Sequence, residues 1–365
     1  MDPFDDVVSA MSVASSLYVR FRFTAPWGVA FDTGYQARLV MIAEGVGWLL
    51  SEGEVPLPVA KGDCLIVKEG TRFALADRPD SALVDCVNLF ADLPGFSEGT
   101  GFTTIPDRTV NYGGNGALME MVSARLSFDP IAAEPLLALL PDLLHVRLAH
   151  GDLDLLETTL GLIGLESRAD GLGADLVVER LTDVLFIQTI RAWVAADGTR
   201  AGGWLAALRH RSLAKVIRSV HADIARDWTV EEMARVAGVS RSTFAQNFRS
   251  VLGETPLSYV TRWRMYRAKT LMRKGAALAE VAVRVGYDSD TALSRAFRRV
   301  EGLAPGEWRR TLAAEANRPA YDPRRAAGSR SSSILRASQP FSTALQLERF
   351  RAKWIPVRVK KRVKK

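Results

Sequence analysis

The sequence predicts an α+β protein of two domains. An amino-terminal β-barrel followed by helices precedes a carboxyl-terminal all-α domain, in which two helix-turn-helix units are joined by a linker helix. Three observations predict this. Short apolar runs punctuated by Gly, Pro and Asp fill residues 18–128, helical periodicity replaces them after Asp129, and two segments between residues 234 and 308 repeat one another. At 365 residues the chain exceeds one ordinary domain of roughly 100 to 200 residues and suits two with a tail. The expected division is 1–205, 206–316 and a basic tail over 317–365, whose Arg, Ser and Ala content favours disorder.

The strand-like runs are YVRFRF from Tyr18, the stretch around Arg38 to Ala43, GWLL from Gly47, DCLIV from Asp63, FAL from Phe73 and LVDCVNLF from Leu83. Their short spacing and their separators are those of an all-β barrel or sandwich. GGNG at 113–116 reads as a flexible turn with no helix signature after it, and is weak as a nucleotide motif. Beyond Asp129, residues 130–140, 153–165 and 174–196 have helical periodicity, with Leu176, Leu181, Leu185 and Ile190 near one stripe of the last. Gly202 and Gly203 mark a break before Trp204.

The formal charge of +7 is unevenly distributed. Residues 1–210 hold 15 Lys+Arg against 28 Asp+Glu, residues 211–310 hold 19 against 10, and residues 311–365 hold 14 against 3. The basic excess lies wholly beyond residue 210, as in a phosphate-binding module appended to an acidic sensor. Charge alone is equally compatible with a solvated basic surface. No run approaches about 18 uninterrupted apolar residues, and the acidic start MDPFDDVVSA lacks the basic flank and apolar core of a signal peptide. A cytoplasmic protein without membrane contact is expected.

The repeat decides between these readings. ARVAGVSRSTFAQNFRSVLGETPLSY (234–259) and AVRVGYDSDTALSRAFRRVEGLAPGEW (282–308) keep a constant offset of 49 after Ser240 and Ser289. Phe244 matches Leu293, Phe248 matches Phe297, Gly253 matches Gly302, Pro256 matches Pro305 and Tyr259 matches Trp308. Each copy has the physics of a helix-turn-helix. Ala234 and Ala282 let two helices cross closely, Gly238 and Gly286 supply the positive φ that ends the first helix, and Ser240 and Ser289 are N-caps for the second. Phe244, Phe248 and Val251 share a face at i, i+4 and i+7, as do Leu293, Phe297 and Val300, and these are expected in the core. The opposite face carries Ser242, Gln246 and Arg249 in one helix and Thr291, Arg295 and Arg298 in the other. Such polar and basic groups are what a groove-reading helix needs.

Between the copies, residues 256–274 read as one helix with Pro256 in its first turn. About 18 residues at a rise of ~1.5 Å give ~27 Å, near the ~34 Å that separates successive major grooves on one DNA face. A rigid spacer of that length would hold both reading helices on adjacent turns of one duplex. A helical bundle that binds only protein explains neither the duplicated caps nor the basic outward faces.

On these residues, the region 211–310 resembles the DNA-binding domain of the AraC/XylS family. WTVEEMARVAGVSRSTFAQNFR, TRWRMYRAKTLM and VAVRVGYDSDTALSRAFRRVEGLAPGEWRR carry the resemblance. It implies seven helices, two of them in successive major grooves, and sequence-specific regulation of transcription. By position it implies base reading by Ser242, Ala245, Gln246, Asp290, Thr291 and Arg295, with phosphate contacts from Arg241, Arg249, Arg298 and Arg299. Ala245 cannot donate a hydrogen bond, so the first unit would read thymine methyls or DNA shape. Asp290 suits a charge at a helix N-terminus or an acceptor for a cytosine amine. The expected partners are double-stranded DNA, RNA polymerase and a small-molecule effector, and the apolar stripes of the helices after Asp129, such as 174–196, suit docking of a second copy of the chain.

The amino-terminal part is similar to the cupin-like domains of such regulators, on TAPWGVAF (24–31), AEGVGWLL and GDCLIVKEG (62–70). Lys68 and Phe73 stand where the related pattern has proline and histidine. An effector site lined by Leu65, Val67, Phe73 and Leu75 is expected, favouring a small, partly hydrophobic ligand. The alternative is a cupin-type metalloenzyme, which needs two or three His plus a carboxylate inside the barrel. His145, His150, His210 and His221 all fall beyond the predicted barrel, so no catalytic residue, metal or cofactor is expected. Asp63 is read as a turn cap. For Cys64 and Cys86 the readings are a redox-sensing pair on neighbouring strands or two inert buried thiols.

Overall fold

The computed structural model describes residues 3–11, 14–33, 36–90, 96–97, 101–102, 109–148, 150–166, 171–196 and 203–316. Helix α1 (Pro3–Met11) precedes strands β1 (Ala14–Thr24), β2 (Gly28–Asp32), β3 (Ala37–Glu44), β4 (Val46–Ser51), β5 (Leu57–Ala60), β6 (Asp63–Lys68), β7 (Arg72–Ala76) and β8 (Val84–Asp85). After a 3-10 turn at Cys86–Leu89 come β9 (Phe96–Ser97), β10 (Gly101–Phe102), β11 (Thr109–Gly113) and β12 (Leu118–Ser127). Next follow α2 (Pro130–Leu137), β13 (Leu143–Arg147), α3 (His150–Glu166), α4 (Ala174–Ala196) and α5 (Gly203–Ala207). Helices α6 (Arg211–Ala222), α7 (Val230–Ala237), α8 (Arg241–Leu252), α9 (Pro256–Arg273), α10 (Leu278–Arg284), α11 (Asp290–Glu301) and α12 (Pro305–Ala316) complete the described chain. The expected tail over 317–365 lies outside the described residues.

The predicted barrel takes the form of two large sheets, beside the short β9-β10 pair, rather than a closed ring. One has the order β11-β1-β12-β3-β6-β13 and the other β5-β4-β7-β2-β8. Strand alternation sends Val40, Ile42, Leu65 and Val67 of the first sheet against Val29, Phe31, Leu49, Phe73 and Leu75 of the second. Their neighbours Leu39, Met41, Cys64 and Ile66 face the other way, into a second core with Leu156 of α3 and Val178, Leu185 and Phe186 of α4. Because β3 and β6 are covered on both faces, LVMI (39–42) and CLIV (64–67) are unbroken apolar runs.

Several expectations change on this frame. Leu65, Val67, Phe73 and Leu75, expected to line an effector site, are packed in the core between the sheets, where the Phe73 ring stacks on Phe31 at 5.0 Å. An open cleft of about 410 Å³ lies elsewhere, lined by Arg22, Thr24, Asn111, Tyr112 and Leu118. LVDCVNLF gives only the two residues of β8, because the Asp85 side chain accepts the Val87 N–H and opens the 3-10 turn. Gly114 N and Gly116 N donate to Thr24 O and Ala25 O at 2.7 and 2.8 Å, so the GGNG turn is pinned to the end of β1 rather than free. In α4 the buried stripe is Val178, Leu185, Phe186 and Ile190, whereas Leu176 is exposed.

His145 was expected beyond the sheets, yet it lies on β13, which pairs with β6. Its Nε2 is 3.5 Å from the Asp63 carboxylate, which also receives Arg147 at 3.0 Å and the Ala60 N–H at 2.9 Å. Burial alone would raise the Asp63 carboxyl, but the nearby His145 ring and the bonds from Arg147 and the Ala60 N–H outweigh it and hold it at about 2. Asp63 is therefore both the turn cap and a clamp on β13. Cys64 and Cys86 belong to different cores, and burial pushes their thiols up to about 12 and about 11, which leaves two inert thiols rather than a pair.

Candidate nucleic-acid interface

Local chemistry fixes both helix-turn-helix units. Thr229 and Glu232 form a reciprocal capping box at the start of α7, and Gly238 ends it at φ +74°. Ser240 Oγ accepts the Thr243 N–H at 3.2 Å to start α8, and Ser289 Oγ accepts the Ala292 N–H at 3.1 Å to start α11. Gly253 and Gly302 end these helices in the left-handed region at φ +77° and +80°. Both predicted N-caps thus act as caps, and α8 and α11 share one construction, whereas α10, unlike α7, starts without a side-chain cap.

The inward faces correspond as well. α8 buries Phe244, Phe248 and Leu252, and α11 buries Leu293, Ala296 and Phe297. Val251 is half-buried against the core, but Val300, expected inside, is 42% exposed. At the end of α11 the small Ala296 takes the inward place, and Trp308 of α12 covers Phe297 with ring centroids 5.8 Å apart. The linker is a single helix over Pro256–Arg273, capped by Thr255 with Pro256 in its first turn. It serves both units, burying Tyr259, Val260 and Trp263 with Phe244 and Phe248, and Met265, Ala268 and Met272 with Leu293 and Phe297.

The outward faces hold every predicted contact residue. Arg241, Ser242, Gln246 and Arg249 on α8 and Asp290, Thr291, Arg295, Arg298 and Arg299 on α11 are exposed, and Ala245 is half-buried. Arg241 is paired with Glu231 at 2.7 Å. Both side chains are exposed, and such a surface pair contributes little to stability. Asp290 lies in the first turn of α11, where its charge meets the positive end of the helix.

Sequence reasoning missed a row of side chains on α9 that faces the first domain. Arg267 pairs with Asp6 of α1 at 2.6 Å, Lys269 with Glu134 of α2 at 2.7 Å, and Arg273 with Asp129 at 2.5 Å. Tyr266 OH donates to Ala132 O at 3.2 Å. Trp204 of α5, which spans the expected domain boundary, donates to Pro135 O at 3.0 Å and meets the Trp263 ring edge-on at 5.8 Å. The partners are some 60 to 260 residues apart in sequence, so no spacing signal announces them. Against Tyr259 and Trp263 of α9, His221 of α6 is buried with Nε2 2.8 Å from Tyr259 OH, and burial, then the charges of Arg267 and Arg262, push its pKa down to about 3. Among the described residues, no group of three or more His, Cys, Asp or Glu side chains could hold a metal ion, and no helix is long and apolar enough to cross a membrane.

Comparison with known proteins follows the same division. The family described as Cupin matches residues 2–195, and the family described as Helix-turn-helix domain matches residues 233–311. A putative AraC-like transcription regulator of Streptomyces lividans is 32% identical over 312 residues, covering 85% of this chain and 98% of its own length. One of Streptomyces antibioticus is 31% identical over 312 residues, covering 85% and 99%. Among solved structures, the DNA-binding domain of AdpA, the global transcriptional factor, in complex with a target DNA, is 34% identical and covers 30% of this chain and 96% of its own, with a TM-score of 0.27.

Proposed function

The chain belongs to the AraC-like transcription regulators with an amino-terminal cupin domain and a helix-turn-helix domain, and from that premise we propose that it inserts α8 and α11 into successive major grooves of one duplex. It acts as a transcription regulator, as the names of the relatives above describe those proteins. The observation that carries the two-groove reading is the duplicated construction of α8 and α11 on one 18-residue helix. In this reading Ser242, Ala245, Gln246, Asp290, Thr291 and Arg295 meet base edges, and Arg241, Arg249, Arg298 and Arg299 meet phosphates. In vitro selection with the full chain, followed by footprinting, tests it. Two protected major-groove segments about one helical turn apart are expected, and protection of a single groove would refute it.

Control is proposed to come from residues 1–205, acting on a DNA-binding domain over 206–316. The supporting observation is the docking of α1, α2 and α5 on α9, since a shift of the first domain bears directly on the helix that spaces the two readers. The proposed inputs are an organic effector on the amino-terminal domain and a second copy of the chain. For the latter, Leu155, Leu162 and Leu165 of α3 and Leu176, Val177 and Val184 of α4 are exposed.

A further inference from the structure

A shared helix fixes the distance between two units along its axis, but each packed unit retains freedom to rock about its contact with that helix. Arg264, half-buried in the middle of α9, sits where it can remove that freedom. Its Nε donates to Ile224 O at 3.0 Å, and its Nη2 donates to Arg226 O at 2.7 Å and Ala225 O at 3.3 Å. Its Nη1 donates to Gly286 O at 3.1 Å. The first three acceptors lie in the turn between α6 and α7, in the first unit. The fourth lies in the turn between α10 and α11, three residues before the cap of the second reading helix. The planar guanidinium is thus a fork with prongs in both units, and the Tyr287 ring of the second unit lies 5.5 Å from its carbon.

The two turns also touch directly. Gly286 has φ +79°, and a Cβ placed on it would stand 2.2 Å from Ala225 O and 2.8 Å from Arg264 Nη2. No other residue type fits that backbone and that gap. The first turn is itself held stiff: Arg226 N donates to Asp223 Oδ1 at 3.2 Å, Trp228 Nε1 donates to Asp223 O at 2.8 Å, and Arg226 pairs with Glu232 at 2.7 Å. A residue that merely stabilised one unit would find its acceptors inside that unit. Arg264 instead bonds across the seam between them.

We propose that Arg264, seated against Gly286, is the positioning residue that fixes the relative orientation of the two readers and thereby the spacing of the DNA segments the protein accepts. This rests on the two-groove reading. Inserting one base pair between the segments turns one relative to the other by ~34° and moves it ~3.4 Å, a mismatch that a rigid pair of readers rejects and a rocking pair follows.

The test uses the full chain, sites recovered from random duplexes by in vitro selection, and derivatives with the interval changed by one or two base pairs or with one segment scrambled. The wild type is expected to lose at least tenfold in affinity per inserted base pair. Arg264→Gln should bind one-segment duplexes within about twofold of wild type, lose at least tenfold on the selected site, and bind all intervals with similar affinity, and Gly286→Ala, which also strains its own turn, should lose the interval preference in the same way. Arg264→Lys, which keeps the charge but not the fork, should resemble Arg264→Gln. Selected sites with a single conserved segment would overturn the two-groove reading itself. Two segments with an interval preference unchanged in all three variants would overturn only the role of Arg264. Loss of one-segment binding equal to the loss on the selected site would also overturn it, by making Arg264 a folding residue.

Discussion

Lys269 Nζ on α9 stands 2.7 Å from Glu134 Oε2 on α2 and 3.2 Å from Glu301 Oε2 on α11. One ammonium therefore ties α2 of the first domain, α9 and α11 together. Lys269 is 6% exposed, whereas Glu134 lies largely in solvent. Removing the lysine charge leaves Glu301 half-buried beside an apolar stem, while removing the Glu134 charge leaves Lys269 still paired. Lys269→Met is expected to destabilise the chain by about 1 to 3 kcal/mol and Glu134→Gln by less than about 1 kcal/mol. Urea unfolding of the full chain checks this. Equal effects would show that the two carboxylates do not divide the lysine as the geometry states.

In the proposed two-groove reading, Arg295 and Arg298 make different kinds of DNA contact, a base edge and a phosphate. Both are exposed on α11, one turn nearer its start in the case of Arg295. Arg295→Ala is expected to cost about 1 to 3 kcal/mol on the selected site and to relax preference at one base pair. Arg298→Ala is expected to weaken binding to all sequences alike and to lower the salt slope by about one. Affinities on selected and random duplexes at several salt concentrations decide the matter. Equal losses for Arg295→Ala on both would move it to the phosphates.

His221 gives the stability a pH dependence of known sign. Its folded pKa of about 3 lies below the ordinary 6.5, so between these values the unfolded chain binds the proton and the folded chain does not. The stabilisation is complete above pH 6.5 and is lost as pH falls towards 3. From pH 7 to pH 5 the loss is about 2 kcal/mol. Asp63, held at about 2, titrates below that window and does not obscure it. His221→Gln keeps a hydrogen-bonding group near Tyr259 and should flatten the decline between pH 7 and 5. Chemical denaturation at both pH values measures it.

The carboxyl-terminal domain was legible because its rules are local. Ser240, Ser289, Gly238 and Pro256 act within four residues of themselves, and Phe244 and Phe248 announce their face by spacing alone. Val300 escaped that logic because the helix ends there and the packing passes to Trp308 of the next element. The first domain was less legible where pairing is distant. LLHVR became β13 only because β6 lies beside it, and Leu65 and Phe73 could be assigned to the interior without any sign of whether that interior is filled. Arg264 stood inside a recognised motif, yet its acceptors lie 22 to 40 residues away, and nothing in its neighbours distinguishes it from Arg262 or Arg267.

The last prediction concerns the proposed second copy of the chain. On α3, Leu155 and Leu162 are 52% and 47% exposed and seven residues apart, and on α4, Val177 and Val184, each 40% exposed, repeat that interval. Seven-residue spacing keeps apolar side chains on one seam of a helix pair, the geometry by which helices of two subunits pack side by side. Burying a fully exposed leucine is favourable by roughly 1.5 to 3 kcal/mol, and these half-exposed side chains have about half of that left to gain, roughly 1 kcal/mol each, so the whole exposed row from both copies, rather than one or two side chains, is what would hold a dimer. Because these residues face solvent in the single chain, charging them leaves its own core intact. Leu162→Glu combined with Val184→Glu should halve the mass found by sedimentation equilibrium. It should leave the unfolding midpoint and the binding to one-segment duplexes within error, and reduce binding to two inverted copies of a site placed on one duplex. A wild-type chain that sediments as a monomer, or a variant that keeps the wild-type dimer mass, would remove these helices as the subunit interface.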